Sequence, residues 1–127
     1  MTLPKGTLSI RNFAMPKDCN ASGDIFGGWL MAQMDLAGAA VAEERASGRV
    51  VTIAVDAMQF HCPVFVGDLL SCFAHIKKIG RTSMTIEIEA WVNRFTDKNK
   101  FVKVTEAVFT YVAIDNITRK PRRIDPI

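Results

Sequence analysis

The longest apolar run of the chain covers residues 25–42 and is interrupted only by Gln33 and Asp35. Its many alanine, leucine and methionine residues favour a helix, and a helix that is apolar on nearly every side belongs in a protein core. The run also approaches the roughly 20 residues that span a membrane. Because Asp24, Gln33 and Asp35 would be costly in lipid, the pattern instead predicts a buried central helix, with Gly48 as its C-terminal stop.

Apolar and polar residues alternate before and after this run, which predicts strands. The predicted strands cover residues 7–13, 50–60, 70–77, 84–93 and 101–114. The last of them is apolar on much of both faces, so we expect it to be central in the sheet. One short strand, a long helix and four antiparallel strands predict an α+β protein, in which a curved antiparallel sheet of about five strands wraps the helix.

Length and charge narrow the picture further. At 127 residues the chain has the size of one domain, which we place at residues 1–127 with a basic tail at about 116–127. The net charge of +3 is a mild excess, and the strands lack the clustered aromatic and basic residues that would indicate nucleic-acid binding. Cys19, Cys62 and Cys72 show no CxxC spacing, which favours reduced thiols over disulfides or a metal site. With no signal peptide in view, we expect a cytoplasmic protein.

The sequence NASGDIFGGW at residues 20–29 sets one carboxylate, Asp24, among glycines at the mouth of the apolar run. A helix begins with free backbone N–H groups and the positive end of its dipole. Asp24 is therefore a candidate N-cap that would accept a hydrogen bond from the N–H of Phe26 or Gly27. The same N–H groups could stabilise an oxyanion beside a catalytic carboxylate. Position in the sequence leaves both roles open.

The same ten residues resemble the N-x-x-G-D-I-F-G-G-W signature of hotdog-fold acyl-CoA thioesterases. Further matches follow in order: VTIAVD at 51–56, FHCPV at 60–64, VGD at 66–68, GRTS at 80–83 and TEA at 105–107. The likeness covers roughly residues 15–121 and is closest to the YciA-like group, which is related to the brain-type cytosolic acyl-CoA hydrolases. The chain departs from the pattern at Cys62, where such proteins often carry a basic residue, so a substrate contact there is in question.

The resemblance implies a hotdog fold and the hydrolysis of acyl-CoA to a free fatty acid and CoA. Asp24 would act as general base on a water molecule, or as the nucleophile. Asn20 would orient the water or the carboxylate, unless it makes a turn hydrogen bond of its own. The backbone N–H groups from Phe26 to Gly28, including that of Gly27, would form the oxyanion hole. The alternative function is a non-catalytic acyl-CoA-binding sensor of the same fold, although the chain shows no room for a DNA-binding segment before the first strand.

The resemblance also implies where CoA binds and how copies of the chain assemble. The CoA phosphates or pantetheine would contact a turn and the basic tail, through Gly80, Arg81, Thr82, Ser83, Arg119, Lys120 and Arg122. By composition alone, residues 80–83 are a plain hairpin turn, and a solvated tail is as well supported as a CoA contact for the basic residues near the C-terminus. No metal or redox cofactor is implied, and CoA enters only as part of the substrate. The sites would form between protomers, in dimers that join their sheets edge to edge and assemble as trimers of dimers, with no nucleic-acid or membrane partner.

Two other carboxylates and two histidines compete with Asp24. Asp35 follows eleven residues later in the predicted helix, about 16 Å away, which is too far for joint action within one chain. We therefore expect Asp35 to be a buried or interface hydrogen-bonding group. For Asp56, in a strand, a structural role is favoured over a place at the mouth of a site across a dimer interface. His61 and His75 lie away from the predicted helix start, and we expect neither to be catalytic.

Overall fold

The computed structural model describes residues 3–126 and confirms the predicted helix and five strands. In chain order, the elements are β1 (Thr7–Phe13), a 3-10 turn (Pro16–Asp18), α1 (Gly27–Ala46), β2 (Val50–Phe60), β3 (Leu69–Ile79), β4 (Ser83–Asn93) and β5 (Phe101–Ala113). Within this described part of the chain, no helix has the length and hydropathy needed to cross a membrane.

The five strands form one antiparallel sheet in the order β1-β3-β4-β5-β2. The central strand is therefore β4. The expectation for β5 holds only in part, because β5 is flanked on both sides but is one place away from the middle. Strands β1 and β2 form the two edges of the sheet, and α1 contacts all five strands. The predicted hotdog arrangement, a long helix wrapped by a curved sheet, is confirmed.

The core lies between α1 and the inner face of the sheet. Alternate residues of β4 are fully buried there, as the pattern predicted: Met84, Ile86, Ile88, Ala90 and Val92. They share one apolar cluster with Leu30, Met34 and Ala37 of the helix. Trp91 occupies a position on the opposite face of β4 but is also buried, because its ring stacks on Phe101 with the ring centroids 5.0 Å apart.

Helix and sheet approach most closely at Gly38 and Tyr111. A Cβ added at Gly38 would overlap the Tyr111 hydroxyl and the Cδ1 of Ile88. The same hydroxyl lies 2.9 Å from the backbone carbonyl oxygen of Asp35, so the fully buried tyrosine is both packed against and hydrogen-bonded to the helix. Small residues in the middle of α1 thus allow the sheet to close around it.

The helix stops one residue before Gly48, which the sequence predicted as its C-terminal stop. Ser47, with φ 54°, takes the left-handed position that terminates α1, so the prediction of Gly48 as the stop was wrong. Gly48 instead leaves room for the guanidinium of Arg122, which a Cβ would contact closely. Arg122 donates a hydrogen bond to the carbonyl oxygen of Ala46 in the last turn of the helix. A cation is favourable at this position because the C-terminus is the negative end of the helix dipole.

Replacing Gly38 by alanine tests the close contact at the centre of the helix. We expect Gly38→Ala to lower the free energy of unfolding by about 1–3 kcal/mol, the usual cost of overpacking, although alanine is the better helix former. Gly28→Ala is the matched control in the same helix, because a Cβ there meets no atom within 4 Å. Denaturant unfolding of both variants provides the measurement, and equal stability of the two would contradict this description of the core.

Candidate active site

The start of α1 differs from the predicted capped helix. Phe26 occupies the N-cap position with φ −59° and ψ 137°, and no side chain from residues 3–126 caps the helix. The N-cap alternative for Asp24 was therefore wrong. The backbone of Asp24 forms an antiparallel bridge with Phe65 instead. Its half-buried carboxylate makes no hydrogen bond or ion pair with any residue in the range 3–126.

Asn20 closes the loop that leads to the helix. Its Oδ1 accepts hydrogen bonds from the backbone N–H of Ser22 at 2.9 Å and of Asp24 at 3.1 Å. The Asn20 N–H in turn donates to the carbonyl oxygen of Asp24 at 2.7 Å. This confirms the alternative in which the side chain makes turn bonds of its own. Its predicted role in orienting a water molecule stays a prediction.

Two of the three predicted oxyanion donors are free. The N–H of Phe26 donates to the carbonyl oxygen of Asp18 at 3.0 Å and is therefore not available, which corrects the prediction at this residue. The N–H groups of Gly27 and Gly28 have no acceptor within residues 3–126, as expected in the first turn of a helix. A Cβ at Gly28 would meet open space, and one at Gly27 would touch only the ring of Phe60, at 3.5 Å.

The middle of the helix carries a second, well-anchored carboxylate. Oδ1 of Asp35 accepts a hydrogen bond from the Thr52 hydroxyl of β2 at 2.6 Å and lies 3.1 Å from the Tyr111 hydroxyl. Burial, and then the charge and hydrogen bond of Asp35, raise the pKa of Tyr111, so this phenol remains a donor. The hydrogen bonds predicted for Asp35 are thus confirmed. Its Oδ2 has no partner among the described residues.

Asp35 was predicted to be a hydrogen-bonding group and not a catalytic carboxylate, because about three helical turns separate it from Asp24 in the same chain, although the sequence carried a signal for it. It is one of just two polar residues in the apolar run, and such a residue needs partners when it is half-buried. Thr52 lies in the matched segment VTIAVD but was assigned no role of its own, because its contact joins an edge strand to a helix residue 17 positions away. Asp56 of β2 is exposed and makes no side-chain hydrogen bond within residues 3–126, so its favoured structural role has no visible partner.

Distances along the helix separate the two parts of this candidate site. Asp35 follows Gly27 by eight residues in α1, which corresponds to about 12 Å of helix. The Asp35 carboxylate and the free amides of Gly27 and Gly28 therefore cannot act on the same carbonyl group when they belong to one chain. Asp24 lies closer to the amides in sequence but lacks the anchoring bonds that Asp35 has.

The remaining reactive side chains have other surroundings. His61 Nε2 pairs with Glu106 Oε2 at 2.5 Å, and this bond is the main reason that the pKa of Glu106 is lowered. Burial raises the pKa of the Cys72 thiol to about 12, which makes it a poor nucleophile at neutral pH. Across residues 3–126, no three His, Cys, Asp or Glu side chains converge as metal ligands would.

The predicted CoA contacts gather at the opposite end of the molecule. In the turn at 80–83, Gly80 N–H donates to the Ser83 carbonyl at 2.7 Å, and the carbonyl of Arg81 accepts a bond from Ile124 in the tail. The carbonyl of Thr82 accepts a bond from Ala113. The tail itself is tied to the C-terminal turn of α1 through Arg122, while Lys120 is exposed. Arg119 lines an open depression of about 840 Å³ beside the same helix end.

The two predicted parts of the site are thus far apart within one chain. The 20 residues of α1 span about 30 Å, with the free amides at one end and the turn and tail at the other. The structure brings the turn and the tail together, as the prediction required, but does not bring either to Gly27 and Gly28 of the same chain. Their role in CoA binding stays a prediction.

A long helix wrapped by a curved, five-stranded antiparallel sheet defines a hotdog-fold protein. The family model described as Thioesterase superfamily matches residues 22–94, more than half of the chain, and the chain belongs to this superfamily. Within it, the chain is 50% identical over 124 residues to acyl-CoA thioester hydrolase YciA of Escherichia coli K12, which covers 96% of this chain and 93% of that protein.

Two solved structures extend the comparison. The hexameric thioesterase y2039 from Yersinia pestis is 53% identical, with a TM-score of 0.93 over 98% of this chain and 100% of that chain. An acyl-CoA hydrolase from Staphylococcus aureus, solved with butyryl coenzyme A, coenzyme A and coenzyme A disulfide, is 30% identical, with a TM-score of 0.82 over 91% of this chain and 69% of that chain. Three further structures of that hydrolase carry alanine at an asparagine, at an aspartate fifteen residues later, and at a threonine seventeen residues after the aspartate.

Proposed function

We propose that the chain hydrolyses acyl-CoA thioesters to a free fatty acid and CoA, at a site that two copies of the chain share. The anchored carboxylate of Asp35, together with the free N–H groups of Gly27 and Gly28, is the observation that carries this proposal. Membership of the Thioesterase superfamily and the similarity to YciA support it. Cys19, Cys62 and Cys72 form no disulfide among residues 3–126, which is consistent with action in the cytoplasm.

Asp35 is our first candidate for the carboxylate that activates water. Its Oδ1 is held by the hydroxyls of Thr52 and Tyr111, which fixes the orientation of the carboxylate and leaves Oδ2 available to accept a proton. In this chain Asn20, Asp35 and Thr52 have the same residue types and the same spacing as the three positions replaced by alanine in the S. aureus hydrolase. Asp24 stays the second candidate, because the sequence has no asparagine fifteen residues before it and no threonine seventeen residues after it.

In the proposed reaction, a water molecule loses a proton to the carboxylate while its oxygen bonds to the thioester carbonyl carbon. The carbonyl oxygen becomes an oxyanion and accepts hydrogen bonds from the N–H groups of Gly27 and Gly28. The carbon–sulfur bond then breaks, and the CoA sulfur leaves with the electron pair and takes up a proton. Attack by the carboxylate itself, through a transient anhydride, uses the same amides.

A second copy of the chain resolves the separation of about 12 Å between Asp35 and its own amides. Strand β2 is an edge strand whose residue Thr52 touches Asp35, and its apolar side chains Ile53 and Val55 are 59% and 37% exposed. Long exposed apolar edges are normally covered. Antiparallel pairing of two β2 strands would place the helices side by side in opposite directions, so we place Asp35 of one copy with the Gly27 and Gly28 amides of the other.

The same pairing suggests how CoA is held. Because the helices of the two copies run in opposite directions, the 80–83 turn and the basic tail of one copy lie toward the free amides of the other. Arg81, Arg119 and Lys120 are exposed and are candidates for the CoA phosphates, whereas Arg122 is already engaged with Ala46. The hexameric Y. pestis thioesterase supports a trimer of such dimers.

Separate substitution of the two carboxylates distinguishes their roles. We expect Asp35→Asn to lower kcat by about 10²- to 10⁴-fold, the usual contribution of a general base, and Asp24→Asn to have a much smaller effect. Thiol release from acyl-CoAs of short to long chain length provides the measurement, with circular dichroism to confirm folding. The reverse order would assign the chemistry to Asp24. A wild-type protein that binds acyl-CoAs but releases no thiol from any of them would favour the sensor alternative.

Proline at Gly27 removes one proposed oxyanion donor without disturbing the helix. Proline is well tolerated at the first helical position, and the extended backbone of Phe26 suits a residue that precedes proline. We expect Gly27→Pro to lower kcat by about 100- to 1,000-fold. Gly27→Ala is the matched control, because it keeps the N–H and its Cβ makes an ordinary contact with Phe60. Equal activity of the two variants would show that the Gly27 N–H does not stabilise the oxyanion.

A further inference from the structure

The loop between β2 and β3 is paired with the segment that leads into α1. Asp24 forms a backbone bridge with Phe65 of this loop, and the N–H of Ile25 donates to the carbonyl oxygen of Val64 at 2.9 Å. Gly27 begins the helix two residues after Ile25. The position of the loop therefore determines the position of the two free amides.

A buried carboxylate holds this loop in shape. Asp68 is only 2% exposed, and its Oδ2 accepts a hydrogen bond from the N–H of Phe65 at 2.9 Å. Its Oδ1 accepts a bond from the N–H of Phe95, which follows β4, also at 2.9 Å. The carboxylate thus ties the loop to the segment that follows β4.

Arg94 completes the arrangement from the end of β4. Its Nη1 pairs with Asp68 Oδ2 at 2.8 Å and donates to the carbonyl oxygen of Pro63 at 2.8 Å. Its guanidinium also lies over the ring of Phe65, 5.1 Å from the centroid, within the range of a cation–π interaction. One arginine therefore contacts the loop through a carbonyl, a carboxylate and an aromatic ring.

An ion pair this deeply buried is not an efficient source of stability. The cost of removing two charges from water offsets most of their attraction, and apolar residues often replace such a pair without loss. Its hydrogen bonds, by contrast, are directional and fix the positions of the groups that they join. What the pair provides here is a defined position for residues 63–68, and through them for Asp24 and Ile25.

We propose that the Arg94–Asp68 pair positions the start of α1 for catalysis, so that the Gly27 and Gly28 amides meet the oxyanion. The inference rests on the proposed function, and both residues are positioning residues that touch no reacting atom. A second tie, from the Phe26 N–H to the Asp18 carbonyl at 3.0 Å, remains when the pair is broken. Loss of the pair therefore displaces the helix start without unfolding it.

The test replaces Arg94 and follows kinetics and hydrogen exchange in the assembled protein. We expect Arg94→Gln to lower kcat about 10- to 100-fold, as small displacements at a reactive site do, with KM little changed. Exchange of the Ile25 amide should become faster, since its acceptor Val64 lies in the released loop. Arg94→Lys keeps the charge and should restore part of kcat. Asp68→Asn, which keeps the carbonyl oxygen as an acceptor, serves if Arg94→Gln fails to fold.

Ile86→Ala is the control for a merely structural effect, because it removes fully buried side-chain volume at the centre of the sheet and lowers stability comparably. We expect it to leave kcat and the Ile25 exchange close to wild type at temperatures below its unfolding transition. The proposal is overturned if Arg94→Gln leaves kcat and the Ile25 exchange unchanged, or if Ile86→Ala alters both equally. If the wild-type protein hydrolyses no acyl-CoA, the proposed function fails, while the exchange data still decide whether the pair positions the helix start.

Discussion

The hydroxyl of Tyr111 fixes the helix on the sheet, and most of the molecule depends on that contact. It lies within hydrogen-bond distance of both the carbonyl and the carboxylate of Asp35, and the absence of a side chain at Gly38 leaves room for it. A buried hydroxyl needs a partner, so the apolar helix cannot slide along the sheet without leaving this group unsatisfied. The same hydroxyl that fixes the register of the helix also contacts the carboxylate to which we assign the chemistry.

Polar groups at the two ends of the helix have different tasks. At the C-terminal end, the carbonyl oxygen of Ala46 accepts a hydrogen bond from Arg122 of the same chain. At the N-terminal end, two amides have no acceptor in the part of the chain that the structure describes, while neighbouring backbone groups are bonded to the flanking loops through Asp18 and Val64. Hydrogen-bond donors that are held in place need little reorganisation when negative charge develops on a substrate. The backbone groups beside the two amides, and not the amides themselves, therefore make the hydrogen bonds that hold the helix start.

Alternation in the sequence was sufficient to predict the strands and the buried residues of β4, because burial on one face of a strand follows from a period of two. The order of strands did not follow from that signal, since it depends on pairings between distant segments. From its place before the helix, Asp24 was a candidate N-cap as well as a candidate catalytic carboxylate, and its backbone bridge to Phe65 overrides the local preference for capping. The contact between Asp35 and Thr52 and the pair of Arg94 with Asp68 join segments that only folding brings together, so no local pattern indicates them.

The central claim is that each site combines the Asp35 carboxylate of one copy with the Gly27 and Gly28 amides of another. Mixing Asp35→Asn chains with Gly27→Pro chains tests it directly, because each variant alone is impaired at a different part of the site. In a mixed dimer, one site then receives an intact carboxylate and intact amides. Random pairing of equal amounts should restore about a quarter of wild-type thiol release. If thiol release from the mixture stays at the average of the two separate variants, the site lies within one chain and the account is contradicted.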